Sequence, residues 1–264
     1  KYPDARDIIH QIKQMSGAHA SRILAFNVDA GALHKCDAVT GTNKSDQRRW
    51  SKVWFGFPHV GAGHKDEHRN VLANQLLILR FLISVAPYLT EGPLPEAIQG
   101  RKRRAASEDD EDDEEPIEAA DDEPDVSATS VPPRRQGSVL ITIRNVVPYT
   151  LWNIPMLGKR LRDVLQPIAA SAPSPPKGIR APTVSDVDKN GAQYVLWRSF
   201  EFVPSNWPGY SHRRTVGFVE GLSTSHNEDL LRRPTQPPQQ GQPSGRHVGT
   251  GECRTYELAL QPVH

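Results

Sequence analysis

The 264-residue chain reads as an α/β protein, a layered sheet with crossover connections. Three observations predict this. Segments of strand character alternate with helical ones. The run "NVLANQLLILRFLISVAPYL", residues 70–89, is apolar on nearly all sides, as a helix buried against a sheet must be. Three polar or proline-rich segments fall between predicted elements, where long surface insertions cost little extra loop entropy.

Taken in order, "PDARDIIHQIKQM" predicts a helix, with Ile8, Ile9, Ile12 and Met15 at helical spacing behind an N-terminal Pro and Asp. "SRILAFNVDA" is a short apolar run that closes on Asp29 and reads as a strand. "WSKVWFGF" is a second strand, delivering Phe57, Pro58 and His59 to a loop crowded with glycine, histidine and charge. The buried helix follows. "GSVLITIRN", residues 137–145, predicts a third strand, and "LWNIPMLGKRLRDVL" a helix despite Pro155. "YVLWRSFEFV" and "CRTYELAL" complete the set of strands.

The interruptions are expected to be disordered, at about 93–136, 167–191 and 223–251, within a single domain spanning 1–264. The first joins a basic cluster, "RKRR", to an acidic run. Between Pro93 and Gln136 stand 14 acidic and 6 basic residues, net −8, which leaves +9 on the rest of a chain whose overall charge is +1. A body of that sign suits a polyanionic partner. Cys36 and Cys253 form no CxxC pair and no signal-like segment opens the sequence, the pattern of a reducing intracellular compartment. No apolar stretch free of charge is expected to span a bilayer, so no membrane partner is predicted.

In open α/β sheets, ligands bind outside the carboxyl ends of the strands, where the connecting loops splay apart. Asp29 and the Phe57-Pro58-His59 tip are both predicted to occupy such ends and to open onto one crevice.

"FNVDAGALHK", "VWFGFPHVGAGHKDEHRNVLANQLLILRFLISV", "VLITIRNVVPYTLWNI" and "SFEFVPSNWPGYSHRRTVG", in this order, resemble the 25S ribosomal RNA uridine-N(3) methyltransferases. The resemblance implies a Rossmann-like, S-adenosylmethionine-dependent methyltransferase fold, with an open, mostly parallel sheet and helices on both faces. It also implies a large-subunit ribosomal RNA substrate, a nucleolar location and a monomer. The family's opening strand and glycine-rich "GEGDFSF"-like turn, which cradles the methionine part of the cofactor, does not precede Lys1. The chain is therefore expected to hold the second half of the cofactor site and to bind the cofactor poorly or not at all.

By the same resemblance, Asp29 and Ala30 lie on the adenine side of the cofactor. Phe57, Pro58 and His59 lie where the target base is presented, Phe57 and Pro58 also touching the cofactor. Methyl transfer to a ring nitrogen needs the nucleophile held in line. Uridine N3 must also lose a proton, which gives His59 work as a general base; the alternative is a structural hydrogen bond. Asp29 has the alternative of a helix cap. Trp152, Tyr210, His212, Arg213 and Arg214 mix aromatic and cationic groups in the manner that stacks bases and grips phosphates. Their alternatives are a core tryptophan and a charged hairpin turn. Lys159, Arg160 and Arg162 read as the wet side of a helix. His64 and His68, with Asp66 and Glu67 between them, lack a third metal ligand and read as a solvated loop.

"RKRR" followed by Ser107 and the acidic run reads as a nucleolar address beside a tract that contacts ribosome-assembly factors. A second reading, a catalytically silent Rossmann-like module that binds ribosomal RNA or assembly factors, rests on the absent glycine turn.

Overall fold

A computed structural model describes residues 3–16, 24–43, 47–61, 63, 65–94, 135–175, 178–203, 206–207 and 253–262. The elements are α1 (Ala5–Ser16), a 3-10 turn (Ala30–Lys35), α2 (Asp37–Thr40), β1 (Lys52–Gly56), α3 (Glu67–Val85) extended by a 3-10 turn (Ala86–Tyr88), and β2 (Ser138–Arg144). After a 3-10 turn (Tyr149–Trp152) come α4 (Ile154–Lys159), α5 (Leu161–Ser171), α6 (Val184–Asn190), β3 (Tyr194–Glu201) and β4 (Cys253–Leu260).

The four strands lie in the order β1-β2-β4-β3. β1 and β2 pair parallel, and β4 pairs antiparallel with both β2 and β3. The expectation of a mostly parallel sheet is corrected here. β3 does run parallel to β1 and β2, but the last strand of the chain inserts between them in the opposite direction.

Helices were expected on both faces, and among the described residues those that pack on the sheet lie on one. Facing residues across the ladders, Val53, Val139, Leu258 and Leu196 in one row, point to a single side. α3 packs on that side, Phe55 meeting Phe81 at 4.5 Å between ring centres, and so does α4, whose Gly158 lies against Leu258. α5 and α6 pack on α3 and α4 in the same layer. Topology explains this. Both crossovers, β1 to β2 and β2 to β3, step along the sheet in one direction, and right-handed crossovers that wind one way fall on one face. A second helical layer needs a reversal in strand order, and the described strands contain none.

Two further expectations change. Residues 24–28 form no strand: Phe26 and Val28 are exposed, and β1 carries no ladder partner on its other side among the described residues. A strand exists only through its neighbour's hydrogen bonds. The segment 167–191, expected to be disordered, holds the end of α5 and all of α6. Its signal is a capping box: the Asp186 carboxylate accepts from the Thr183 N–H at 2.8 Å while Thr183 caps the first turn. The helix between Trp152 and Leu165 is broken at Arg160, which leaves the helical region at φ −120°. The first helix forms, yet Ile8 and Met15 are exposed, so its apolar stripe is uncovered among the described residues.

The core is α3 against the sheet. Ile78, Leu79, Leu82 and Val85 are buried with Val139, Ile141, Leu157, Leu165 and Leu258. α3 with its 3-10 extension is long and apolar enough to cross a bilayer, although Arg80 interrupts its apolar run. Two thirds of that stretch is covered by the rest of the protein.

At the foot of β2, Gly137 accepts from the Leu260 N–H and donates to the Thr90 carbonyl. A Cβ there would stand 2.7 Å from both the Thr90 nitrogen and the Leu89 Cβ. Gly137→Ala is therefore expected to destabilise by about 1–3 kcal/mol. Thermal unfolding reads this directly, and an unchanged midpoint would mean that the Leu89–Thr90 backbone yields without cost.

Candidate active-site rim

β1 and β2 run side by side in the same direction, so their carboxyl ends open on one edge of the sheet. At the end of β1 the chain turns sharply. Phe57 takes a left-handed conformation, φ 50°, while its N–H still donates to the Thr142 carbonyl at 2.8 Å. For a bulky residue this costs about 1–2 kcal/mol, and such strain concentrates at working sites. The turn lays the Phe57 ring edge-on to Phe202 at 5.9 Å, buries Pro58 and leaves His59 half-buried.

The loop after β2 folds back through the 3-10 turn to Asn153, again left-handed at φ 48°, whose side chain caps α4 by accepting from the Met156 N–H. This places Trp152, 1% exposed, with its ring 6.1 Å from His59 and 5.2 Å from Tyr149. The Arg144 guanidinium lies over the Tyr149 ring at 5.7 Å. Trp152 thus meets both of its readings, a core residue that also lines the rim.

The electrostatics of His59 are specific. Burial lowers its pKa below the ordinary value of 6.5. Its Nδ1 accepts from the Gly61 N–H at 2.8 Å. In the neutral ring the proton then belongs on Nε2, which becomes a donor rather than a free lone pair.

Two buried side-chain polar atoms among the described residues lack a hydrogen-bond partner, Arg144 Nε and Trp152 Nε1. Both are donors, and both belong to residues packed on Tyr149 at this rim. Orphaned buried donors are rare enough to need an explanation, and an acceptor brought by a ligand is one.

Asp29 and Ala30 do not join this rim. The Asp29 carboxylate accepts from the Gly31 N–H at 2.8 Å, capping the 3-10 turn, and pairs with Arg80 at 3.1 Å. Arg80 is six residues beyond Asn74, the α3 residue that touches the His59 loop, or about 9 Å further along the helix axis. Asp29 is therefore a cap held on α3 rather than the tip of a strand. A cavity of about 440 Å³ lies near it, lined by Gly31, Arg80, Ser84, Tyr88, Arg180 and Asn190. It is remote from the His59 loop, and its arginines are engaged, Arg80 with Asp29 and Arg180 with both oxygens of Asp186.

Of the remaining candidates, Arg160 pairs with Asp163 and Arg162 with Asp188 on the exposed side of α5. Asp66 caps α3 by accepting from the Arg69 N–H at 3.0 Å. Among the described residues no three ligating side chains gather to hold a metal ion. Tyr210, His212, Arg213, Arg214, His64 and the basic and acidic tracts lie outside the described residues.

Asn74 and Gln75, which hold the two rim loops, escaped the sequence reading, as did Arg144, Tyr149 and Phe202. For the first two a signal was present: an amide pair inside an otherwise apolar run.

The family model described as rRNA (uridine-N3-)-methyltransferase BTM5-like matches residues 1–214. The chain is 25% identical over 202 residues to the 25S rRNA (uridine(2634)-N(3))-methyltransferase of Saccharomyces cerevisiae, an alignment covering 72% of this chain and 47% of the yeast protein. The chain thus spans about half the length of the curated relative it matches. No solved structure matches it. With four-fifths of its length matched by one family model, the chain belongs to the rRNA (uridine-N3-)-methyltransferase BTM5-like family.

Proposed function

We propose that this chain carries the base-presenting half of an S-adenosylmethionine-dependent methyltransferase acting on N3 of a uridine in large-subunit ribosomal RNA. The observation that supports it is the meeting of the β1 and β2 loops, which sets His59 against Trp152 and leaves the Trp152 and Arg144 donors without partners.

Uracil N3 is an imide nitrogen between two carbonyls on the pairing edge of the base, so the base must be unpaired or flipped to be reached. As N3 loses its proton, charge moves onto both carbonyl oxygens. N–H donors aimed at those oxygens stabilise that charge in a water-poor site. Trp152 Nε1, Arg144 Nε and His59 Nε2 are donors of this kind, and the Phe57 ring offers a face for stacking. In this reading the N3 proton passes to solvent water, and His59 steadies the anion rather than taking the proton itself. The other substrate contacts are Pro58 in the same loop and Tyr210, His212, Arg213 and Arg214.

Asp29 and Ala30 enter the proposal as contacts to the adenine side of the methyl donor, although the Asp29 carboxylate already accepts from Gly31 and pairs with Arg80. That commitment favours the alternative reading, a silent ribosomal-RNA-binding module. Nucleolar residence, action as a monomer and contact of the acidic tract with assembly factors belong to the proposal as well.

The test is transfer of labelled methyl from S-adenosylmethionine to ribosomal RNA by the native full-length protein. Transfer to a uridine N3 supports the enzyme, and RNA binding without transfer establishes the silent module. Within an active enzyme, the rate should rise with pH through a midpoint below 6.5, because protonated His59 loses its bond from Gly61. His59→Gln should lose that acid limb and run roughly tenfold slower, the factor of one good hydrogen bond. An acid limb unchanged in the variant removes His59 from the chemistry.

A further inference from the structure

Two buried amides stand side by side in α3, where apolar residues are expected. Asn74 is 1% exposed and Gln75 8%. An amide buried without partners is destabilising, so what these two bond to explains their presence.

Asn74 Oδ1 accepts from the Val60 N–H at 2.9 Å, in the loop that follows β1. Its Nδ2 donates to the Asn70 carbonyl at 2.9 Å and to Asn70 Oδ1 at 2.6 Å. The Val60 N–H can only donate and the Asn70 carbonyl can only accept, so the orientation of the Asn74 amide is fixed. Gln75 Nε2 donates to the Leu151 and Trp152 carbonyls at 3.3 and 3.4 Å, in the loop that follows β2. Neighbouring residues on a helix point about 100° apart, which lets one turn of α3 reach two diverging loops.

We propose that Asn74 and Gln75 act as a paired clamp, positioning residues that fix the β1 and β2 loops to one helix and so set His59 and Phe57 in register with Trp152. The clamp rests on the methyltransferase reading for its purpose, though not for its existence. It is also asymmetric. Asn74 holds its loop through one 2.9 Å bond to an amide oriented by two further bonds to Asn70, whereas Gln75 shares one amide between two longer bonds. The β1 loop is therefore the rigid wall of the rim, and the β2 loop is the wall that adjusts when a ligand meets Trp152 and Arg144.

Amide hydrogen exchange and methyl-transfer kinetics on the native full-length protein test this together. In Asn74→Ala, exchange across 57–61 should rise roughly tenfold, the factor of one lost buried bond, while 149–153 stays unchanged. Asn74→Asp keeps an acceptor for the Val60 N–H and should restore slow exchange at 57–61. Gln75→Glu, which cannot donate to the two carbonyls, should free 149–153 alone. With ribosomal RNA as substrate, kcat in Asn74→Ala should fall about tenfold and KM stay within about twofold, because positioning acts on the bound state. Uniform exchange increases across the whole chain, or a kcat loss that Asn74→Asp fails to recover while restoring slow exchange, would overturn the clamp. If wild-type protein transfers no methyl, the segment-specific exchange pattern still decides the clamp and the failure belongs to the functional reading.

Discussion

Glu257→Ala should lower stability by about 3 kcal/mol at neutral pH and erase part of the protein's acid sensitivity. Glu257 is fully buried on β4, on the sheet face that carries no helix among the described residues. Lys52 of β1 reaches its Oε1 at 2.8 Å, Ser138 of β2 donates to the same oxygen at 2.6 Å, and Arg198 of β3 donates to Oε2 at 2.8 Å. One carboxylate thus ties all three other strands to the last. Both cations lie over the Trp197 ring, at 5.2 and 4.8 Å, and the long side chains close over the carboxylate.

Burial alone would raise the Glu257 pKa, and the bonds from Lys52, Ser138 and Arg198 outweigh it and hold the carboxyl below its usual range. A depressed folded pKa contributes stability that is present above the unfolded value, near 4.5, and is lost as pH falls through the folded one. Denaturant unfolding at pH 7 and on the acid side reads both effects. Lys52 and Arg198 are half-exposed and regain water when the carboxylate goes, whereas the buried Ser138 hydroxyl loses its acceptor. If Glu257→Ala matched the parent at pH 7, the network would be ornamental.

The second large effect belongs to Trp152. Removing it as Trp152→Ala empties a tightly packed site beside Tyr149 and His59, and should cost about 3–5 kcal/mol. Trp152→Phe keeps most of the packing and removes only the indole donor, at a smaller cost of about 1–2 kcal/mol. Comparison of the two separates scaffold from chemistry. Methyl transfer by Trp152→Phe should fall roughly tenfold with the protein still folded, as expected for one lost donor to a developing charge. Full activity in that folded variant would leave the unpartnered Nε1 without a substrate role.

The strands were legible because each combines branched or aromatic residues with a clear turn at either end. The structure trims "YVLWRSFEFV" by two residues and keeps "CRTYELAL" whole. What sequence could not convey is relational. Strand direction depends on which edge the final segment finds, and nothing within "CRTYELAL" says that it will enter antiparallel between two earlier strands. Residues 24–28 have strand composition without a neighbour to bond. Glu257 reads as an outward-facing residue in an alternating pattern, and only the convergence of Lys52, Ser138 and Arg198 makes it interior. The Phe57-Pro58-His59 tip was legible because it ends a strand, and the way strands end is a local property. Its coupling to Trp152 passes through α3, and Asn74 and Gln75 look like flaws in an apolar run until the loops they hold are in place.

The placement of β4 carries a consequence for biosynthesis. Among the described residues β3 bonds to β4 alone, and about fifty residues of chain separate the two. As the chain leaves the ribosome, β1, β2 and the helical layer can associate early, while β3 waits with an unclaimed edge. The sheet becomes continuous only when Cys253–Leu260 emerges and enters between its two neighbours, so β3 cannot join the sheet before β4 has been made.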